Sequence, residues 1–146
     1  MRRLFLFAPL LLACTRAPPD SSPEGAVRAW LDRMEASTED PRATKDAFAL
    51  LGPAARANLE ERAKRTSLLI GRRVDPWEML AEGRFGLHFR PKTIKTSIVG
   101  DRATVEVLGH DPLERASVRC LHEPKGWRLE LDLPEMVVLP KRESPP

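Results

Sequence analysis

Apolar residues recur along this chain with two periods, and the change from one to the other falls near residue 89. Val27, Trp30, Leu31 and Met34 stand at i, i+3, i+4 and i+7, with Arg28, Asp32 and Arg33 off that stripe, so the spacing predicts an amphipathic helix. Ser21-Ser22-Pro23-Glu24 supplies its start: a serine cap, a proline in the first turn and a carboxylate beside the positive end of the helix dipole. Asp40-Pro41 repeats the signal and leads through Ala43, Ala47, Phe48, Leu50 and Leu51 to a stop at Gly52. A third helix is expected from about Pro53 to Leu69. Ala55, Leu59, Ala63 and Ile70 mark its inner side, while Arg56, Glu60, Glu61, Lys64 and Arg65 make a solvated outer face. Asp75-Pro76-Trp77 begins a short helical turn through Met79, Leu80 and Ala81, which Gly83 and Gly86 then interrupt.

Beyond residue 89 the period is 2. Ile94, Thr96 and Ile98 alternate with Lys95 and Ser97, Gly100-Asp101 makes a tight turn, and Ala103, Val105 and Val107 alternate with Arg102, Thr104 and Glu106. His110-Asp111-Pro112 is a second connection, followed by Ala116, Val118 and Cys120 in alternation. Pro124-Lys125-Gly126 turns the chain again into Trp127, Leu129, Leu131 and Leu133. Four strands on short turns predict an antiparallel meander with one dry face, and the helices of the first half are its available cover. The expected class is therefore α+β, with N-terminal helices packed on a curved four-stranded antiparallel sheet.

The first residues follow neither period. Arg2 and Arg3 precede an apolar run over residues 4–12, then Ala13 and Cys14, which is the order of a secretory signal: positive, apolar, small residue before the cut. The run is broken by Pro9 and is too short to cross a bilayer, which needs roughly 20 apolar residues. Leu11-Leu12-Ala13-Cys14 resembles the lipobox of bacterial lipoproteins. That resemblance implies cleavage before Cys14, a diacylglyceryl group on its sulfur, and a further acyl chain on the freed amine, enough for stable membrane attachment. A plain secretory signal is the alternative. Arg2-Arg3-Leu4-Phe5-Leu6 also looks like a twin-arginine export motif, held as a minor route beside general secretion. The expected organisation is a signal peptide over residues 1–13, a lipidated cysteine and flexible tether over 14–22, one domain over 23–134 and a Pro-rich tail over 135–146. A tether of eight residues after Cys14, in polyproline geometry, would span roughly 25 Å.

Composition changes this picture in two ways. Without Arg2 and Arg3 the 24 basic side chains fall to 22, against 21 acidic, so the exported part is nearly neutral and lacks the basic face that nucleic acid demands. Cys14 and Cys120 are the only cysteines, so a lipidated Cys14 leaves Cys120 without an intramolecular partner. Its place on the apolar parity of a strand makes Cys120 a small core residue, with a catalytic thiol as the alternative.

Ala26-Val27-Arg28-Ala29-Trp30-Leu31, Ala47-Phe48-Ala49-Leu50-Leu51 and Gly126-Trp127-Arg128-Leu129-Glu130-Leu131 together resemble the cone-shaped, cystatin-like superfamily of nuclear transport factor 2, ketosteroid isomerase and SnoaL-like proteins, over about residues 22 to 133. Catalytic members of that superfamily place an aspartate or histidine inside the cone. Here the positions assigned to the dry face (Ile94, Thr96, Ile98, Ala103, Val105, Val107, Ala116, Val118, Cys120, Trp127, Leu129 and Leu131) include no carboxylate, and His122, sharing the parity of Val118 and Cys120, is the remaining candidate. His88 and His110 fall in or beside connections. His110, Asp111 and His122 form the one titratable cluster, without metal-ligand spacing, and no phosphate loop or nucleophile elbow is present, so no metal or cofactor is expected.

The leading expectation is a non-catalytic lipoprotein held on the cell envelope through Cys14, the outer membrane favoured because Thr15 is not aspartate, its domain binding an envelope protein or cell-wall component. The alternative is a small apolar ligand in the cone, with Trp30, Val105, Val118 and Trp127 as walls and His122 as polar contact. A weaker one is an enzyme of the SnoaL or ketosteroid isomerase type using His122.

Overall fold

In the computed structural model, which describes residues 17–80 and 85–136, each of the three helices begins on a proline. Helix α1 is Pro23–Ala36, capped by Ser22, whose Oγ accepts the Gly25 N–H at 3.0 Å. Helix α2 is Pro41–Ala49, and the Asp40 carboxylate accepts the Arg42 N–H at 2.9 Å. Helix α3 is Pro53–Ile70 and stops on Gly71, whose φ of 69° is the left-handed conformation that glycine adopts without a steric penalty. A 3-10 turn, Pro76–Leu80, follows. Its Glu78 accepts the Asp75 N–H at 2.8 Å and Arg72 at 3.0 Å, and those bonds, the backbone one first, hold its carboxyl below the usual range. Trp77 of this turn meets Phe48 of α2 edge to face, 6.4 Å between ring centres, with the Lys45 ammonium 5.2 Å over its ring.

The sheet is an antiparallel meander in the order β1-β2-β3-β4, with β1 Thr93–Val99, β2 Arg102–Leu108, β3 Arg115–Glu123 and β4 Gly126–Glu130. Register places Ile98, Ala103, Cys120 and Leu129 in one row across all four strands, and Thr96, Val105 and Val118 in the next. The α+β class and the helix-then-sheet order expected from periodicity are thus present. Ala26, Val27, Trp30 and Met34 of α1 share one core with Ala103, Val105, Val107, Cys120, Trp127 and Leu129 of the sheet. Leu51, Ala55, Leu59 and Leu80 extend that core under α2, α3 and the 3-10 turn.

Three details depart from the sequence expectation. On β1 only Ile94 is half-buried, while Thr96 is exposed and Ile98 is 55% exposed, because the helical cover that seals β2 thins out over this edge strand. Ile70 is 52% exposed rather than inward: α3 outruns the core after Ala63, and its last residues, Leu68 to Ile70, project beyond it. β4 ends at Glu130, and Leu131 and Leu133 pack against the core from outside the ladder. Arg62 holds that departing segment by donating to the Pro134 carbonyl at 2.6 Å. The outer edge of β4 is covered by the α2–α3 connection, where Gly52 N–H donates to Leu129 O at 2.8 Å and Leu129 N–H donates to Leu50 O at 2.9 Å.

Pro19–Ser21, within the stretch assigned to the tether, forms one 3-10 turn seated against the domain. Two glycines make room for it. A Cβ on Gly25 would lie 2.1 Å from the Pro19 carbonyl oxygen, and one on Gly126, itself at φ 122°, would lie 2.6 Å from that of Asp20. The Asp20 carboxylate then accepts from Arg128 at 2.6 Å, with the two side chains only 19% and 10% exposed. Arg128 also donates to the carbonyls of Trp127 and Lys125 and approaches Glu123, which in turn faces Arg56 of α3 at 3.6 Å. Removing one member of a largely buried ion pair strands the other without full hydration. Asp20→Ala should therefore lower the unfolding free energy by about 2 kcal/mol. Asp132→Ala, which breaks the exposed pair with Arg119, should cost under about 0.5 kcal/mol. Urea unfolding of both variants checks the contrast.

Cys120 is fully buried, and burial, with a smaller contribution from the Glu130 charge, pushes its thiol up to about 12 from an ordinary value of 9.0. Between those values the unfolded chain has released the thiol proton and the folded chain has kept it, so stability falls as pH rises through that window. Cys120→Ala should lose stability less steeply than the parent over the same alkaline range, as read from urea midpoints at successive pH values.

Candidate functional site

The structure brings Trp30, Val105, Val118 and Trp127 together as packed core, and leaves His122 at its rim. Trp30, Val105 and Trp127 are buried members of the core, and Val118 is half-buried against it. Their surface is taken up by one another and by α1. Trp30 Nε1 is buried with no hydrogen-bond partner among the described residues. His122 does share the dry-face parity, pairing across the strands with Trp127, but it lies one residue from the end of β3 where the helices no longer cover the sheet. It is exposed, with its ring 4.9 Å from that of Trp127 and tilted 57° to it. Cys14 lies outside the described residues.

The cluster of His110, Asp111 and His122 is dispersed. His110 and Asp111 sit in the β2–β3 connection, where their N–H groups donate to the Glu114 carboxylate at 2.8 and 3.1 Å, and His122 is at the far end of β3. Eight residues of strand make that about 25 Å. Among the described residues no group of three His, Cys, Asp or Glu side chains is placed to hold a metal ion.

A different concavity is present at the C-terminal end of α1. It is a half-open groove of about 600 Å³ between that end of the helix and residues 86–91. Leu31 and Met34 form one wall, Leu87 and Phe89 the other, and the fully buried Leu80 the floor. Local spacing explains both walls. Leu31 and Met34 are the last members of the α1 stripe. Phe85, Leu87 and Phe89 alternate with exposed Gly86, His88 and Arg90, so a period-2 segment turns its apolar side toward the core before the first strand begins, and Leu87 and Phe89 reach the groove. That alternation was the readable signal, and the glycines at 83 and 86 obscured it.

Polar groups ring the mouth. Ser37 and Thr38 donate their hydroxyls to the Met34 and Glu35 carbonyls at 2.6 and 2.9 Å, which satisfies the end of α1 and leaves those side chains committed. Glu35 on the helix side and His88 and Arg90 on the other make no side-chain hydrogen bond or ion pair with another described residue. The groove thus combines an apolar interior with two basic groups and one acidic group at its rim, the usual make-up of a small-molecule site. No helix among the described residues is long and apolar enough to cross a membrane. No family model matches this sequence, and neither a curated protein nor a solved structure is found to be similar to it.

Proposed function

We propose that this chain is an exported lipoprotein, attached to the cell envelope through Cys14, whose domain binds rather than catalyses. We place its ligand in the groove at the end of α1 and take it to be a small, mainly apolar molecule carrying one polar end. The observation that carries this reading is the groove itself. Three of its four wall side chains, Leu31, Leu87 and Phe89, are left partly uncovered, whereas large apolar residues under α1 such as Val105 and Leu129 are sealed. Burial of apolar ligand surface there is favourable at about 25 cal/mol per Å², and Glu35, His88 and Arg90 would select the polar end. Binding to an envelope protein or wall component is the wider form of the proposal, the groove then receiving an apolar side chain of that partner.

The anchor is tested first. The parent should fractionate with membranes and yield a mature N-terminal peptide that begins at Cys14 and carries the added mass of acyl chains, while Cys14→Ser should be released from membranes. Trimming at another residue, or equal membrane retention of the serine variant, would remove the anchor from the reading.

The groove is tested with N-phenyl-1-naphthylamine, an apolar fluorophore. Phe89→Glu and Leu87→Asp should each weaken its binding at least about tenfold, because a carboxylate in the wall must be desolvated for the probe to enter. Leu113→Asp, at a position 90% exposed on the β2–β3 connection, should leave it unchanged. Equal binding by all four proteins would refute the placement.

A further inference from the structure

We propose that the C-terminal end of α3 is a second membrane contact, independent of Cys14, in which an aliphatic tip enters the headgroup layer of an anionic phospholipid surface. Leu68, Leu69 and Ile70 are consecutive and 79%, 86% and 52% exposed, whereas the preceding inward residues of the helix, Leu59 and Ala63, are buried. Three large aliphatic side chains at the end of a helix are thus left more than half exposed. Their setting is basic: from Arg62 to Arg73 the chain carries five basic side chains (Arg62, Lys64, Arg65, Arg72 and Arg73) and not one acidic residue.

The tip is also held in shape. Ser67 Oγ donates to the Ala63 carbonyl at 2.7 Å and accepts the Val74 N–H at 2.8 Å, pinning the chain that returns from the tip to the last turn of the helix. Gly71 turns the chain between them, and no heavy atom lies near the place its Cβ would occupy, so the end is sterically open. Arg72 and Arg73 pair with Glu78 and Asp75, and Arg65 with Glu61, but each of these pairs is at the surface, where such contacts are weak and readily exchanged for phosphate. Apolar residues flanked by Lys and Arg are what an anionic interface selects, the aliphatics entering the acyl boundary and the cations meeting the phosphates. A neutral protein partner would not require the basic collar.

The test uses the full chain in a Cys14→Ser background, so that no acylation contributes. Leu69→Cys carries an environment-sensitive fluorophore, Cys120 being fully buried, and Leu113→Cys carries the same dye as a comparison at another exposed leucine. With phosphatidylcholine vesicles containing phosphatidylglycerol, the dye at position 69 should shift to the blue and be quenched by brominated acyl chains, while the dye at 113 stays unchanged. The response should fall at least about fivefold in roughly 0.5 M NaCl, where charge interactions are screened within a few ångströms. Pure phosphatidylcholine should produce little change. No shift at 69, an equal shift at 113, or equal response to both vesicle types would overturn the proposal. So would sedimentation showing that the parent self-associates without lipid and that Leu68→Asn/Leu69→Asn abolishes it, since the tip would then belong to a second copy.

Discussion

A four-stranded sheet with one apolar face cannot stay in water uncovered, and in this protein one helix supplies most of the cover. Ala26, Val27, Trp30 and Met34 repeat at helical spacing along α1, and the rows Ala103–Cys120–Leu129 and Val105–Val118 repeat at strand spacing beneath it. The two periods meet over only part of the sheet, because a helix is about 10 Å wide and four strands span more than that. Everything else follows from where this cover ends. β2 is sealed and β1 is not, the rim histidine is wet, and the last turn of α1 overhangs a gap that residues 86–91 border without filling.

The second constraint is long-range and electrostatic. Arg128 has the parity of the outer face, so a solvated side chain would be its ordinary fate. It is instead withdrawn from water by the turn at Pro19–Ser21, and its charge is met by Asp20, by two carbonyls and by Glu123. Glu123 carries the contact on to Arg56, so the start of the domain, the β3–β4 hairpin and the first turn of α3 share one network. A network of this kind fixes relative position more than it adds stability, since desolvation consumes much of the attraction.

What could be read from the sequence was local. Ser22 and Asp40 mark helix starts because a cap bonds within three residues, and the strands of the meander show their faces because alternation is a property of each strand alone. Alternation says which side chains share a face, and not whether anything lies over it. Ile98 has the parity of Val105's face and remains half in solvent for that reason. Ile70 fits the inner stripe of α3 and falls beyond the point where the core stops. The Asp20–Arg128 contact spans 108 positions and left no periodic trace, nor did the bridge of Leu51 to Leu129. The residues expected to wall a pocket show the same limit: Trp30, Val105 and Trp127 do face inward, but an inward side chain fills space as readily as it lines it.

Under the proposed attachment at Cys14, docking of Pro19–Ser21 would also set how far the folded body can stray from the membrane. The four links that separate Cys14 from Pro18 along the sequence can reach at most about 14 Å, little more than half the reach of an eight-residue tether. Ion pairs running from Asp20 through Arg128 and Glu123 to Arg56 tie that turn to the first turn of α3, whereas the aliphatic residues are at that helix's other end, about 27 Å away. A leash this short cannot bridge that distance, so a molecule gripped at both places would have α3 berthed lengthwise along the bilayer. Its spin about the membrane normal and its roll about the line joining the two grips would stay free, but the tilt of α3 against the bilayer would not.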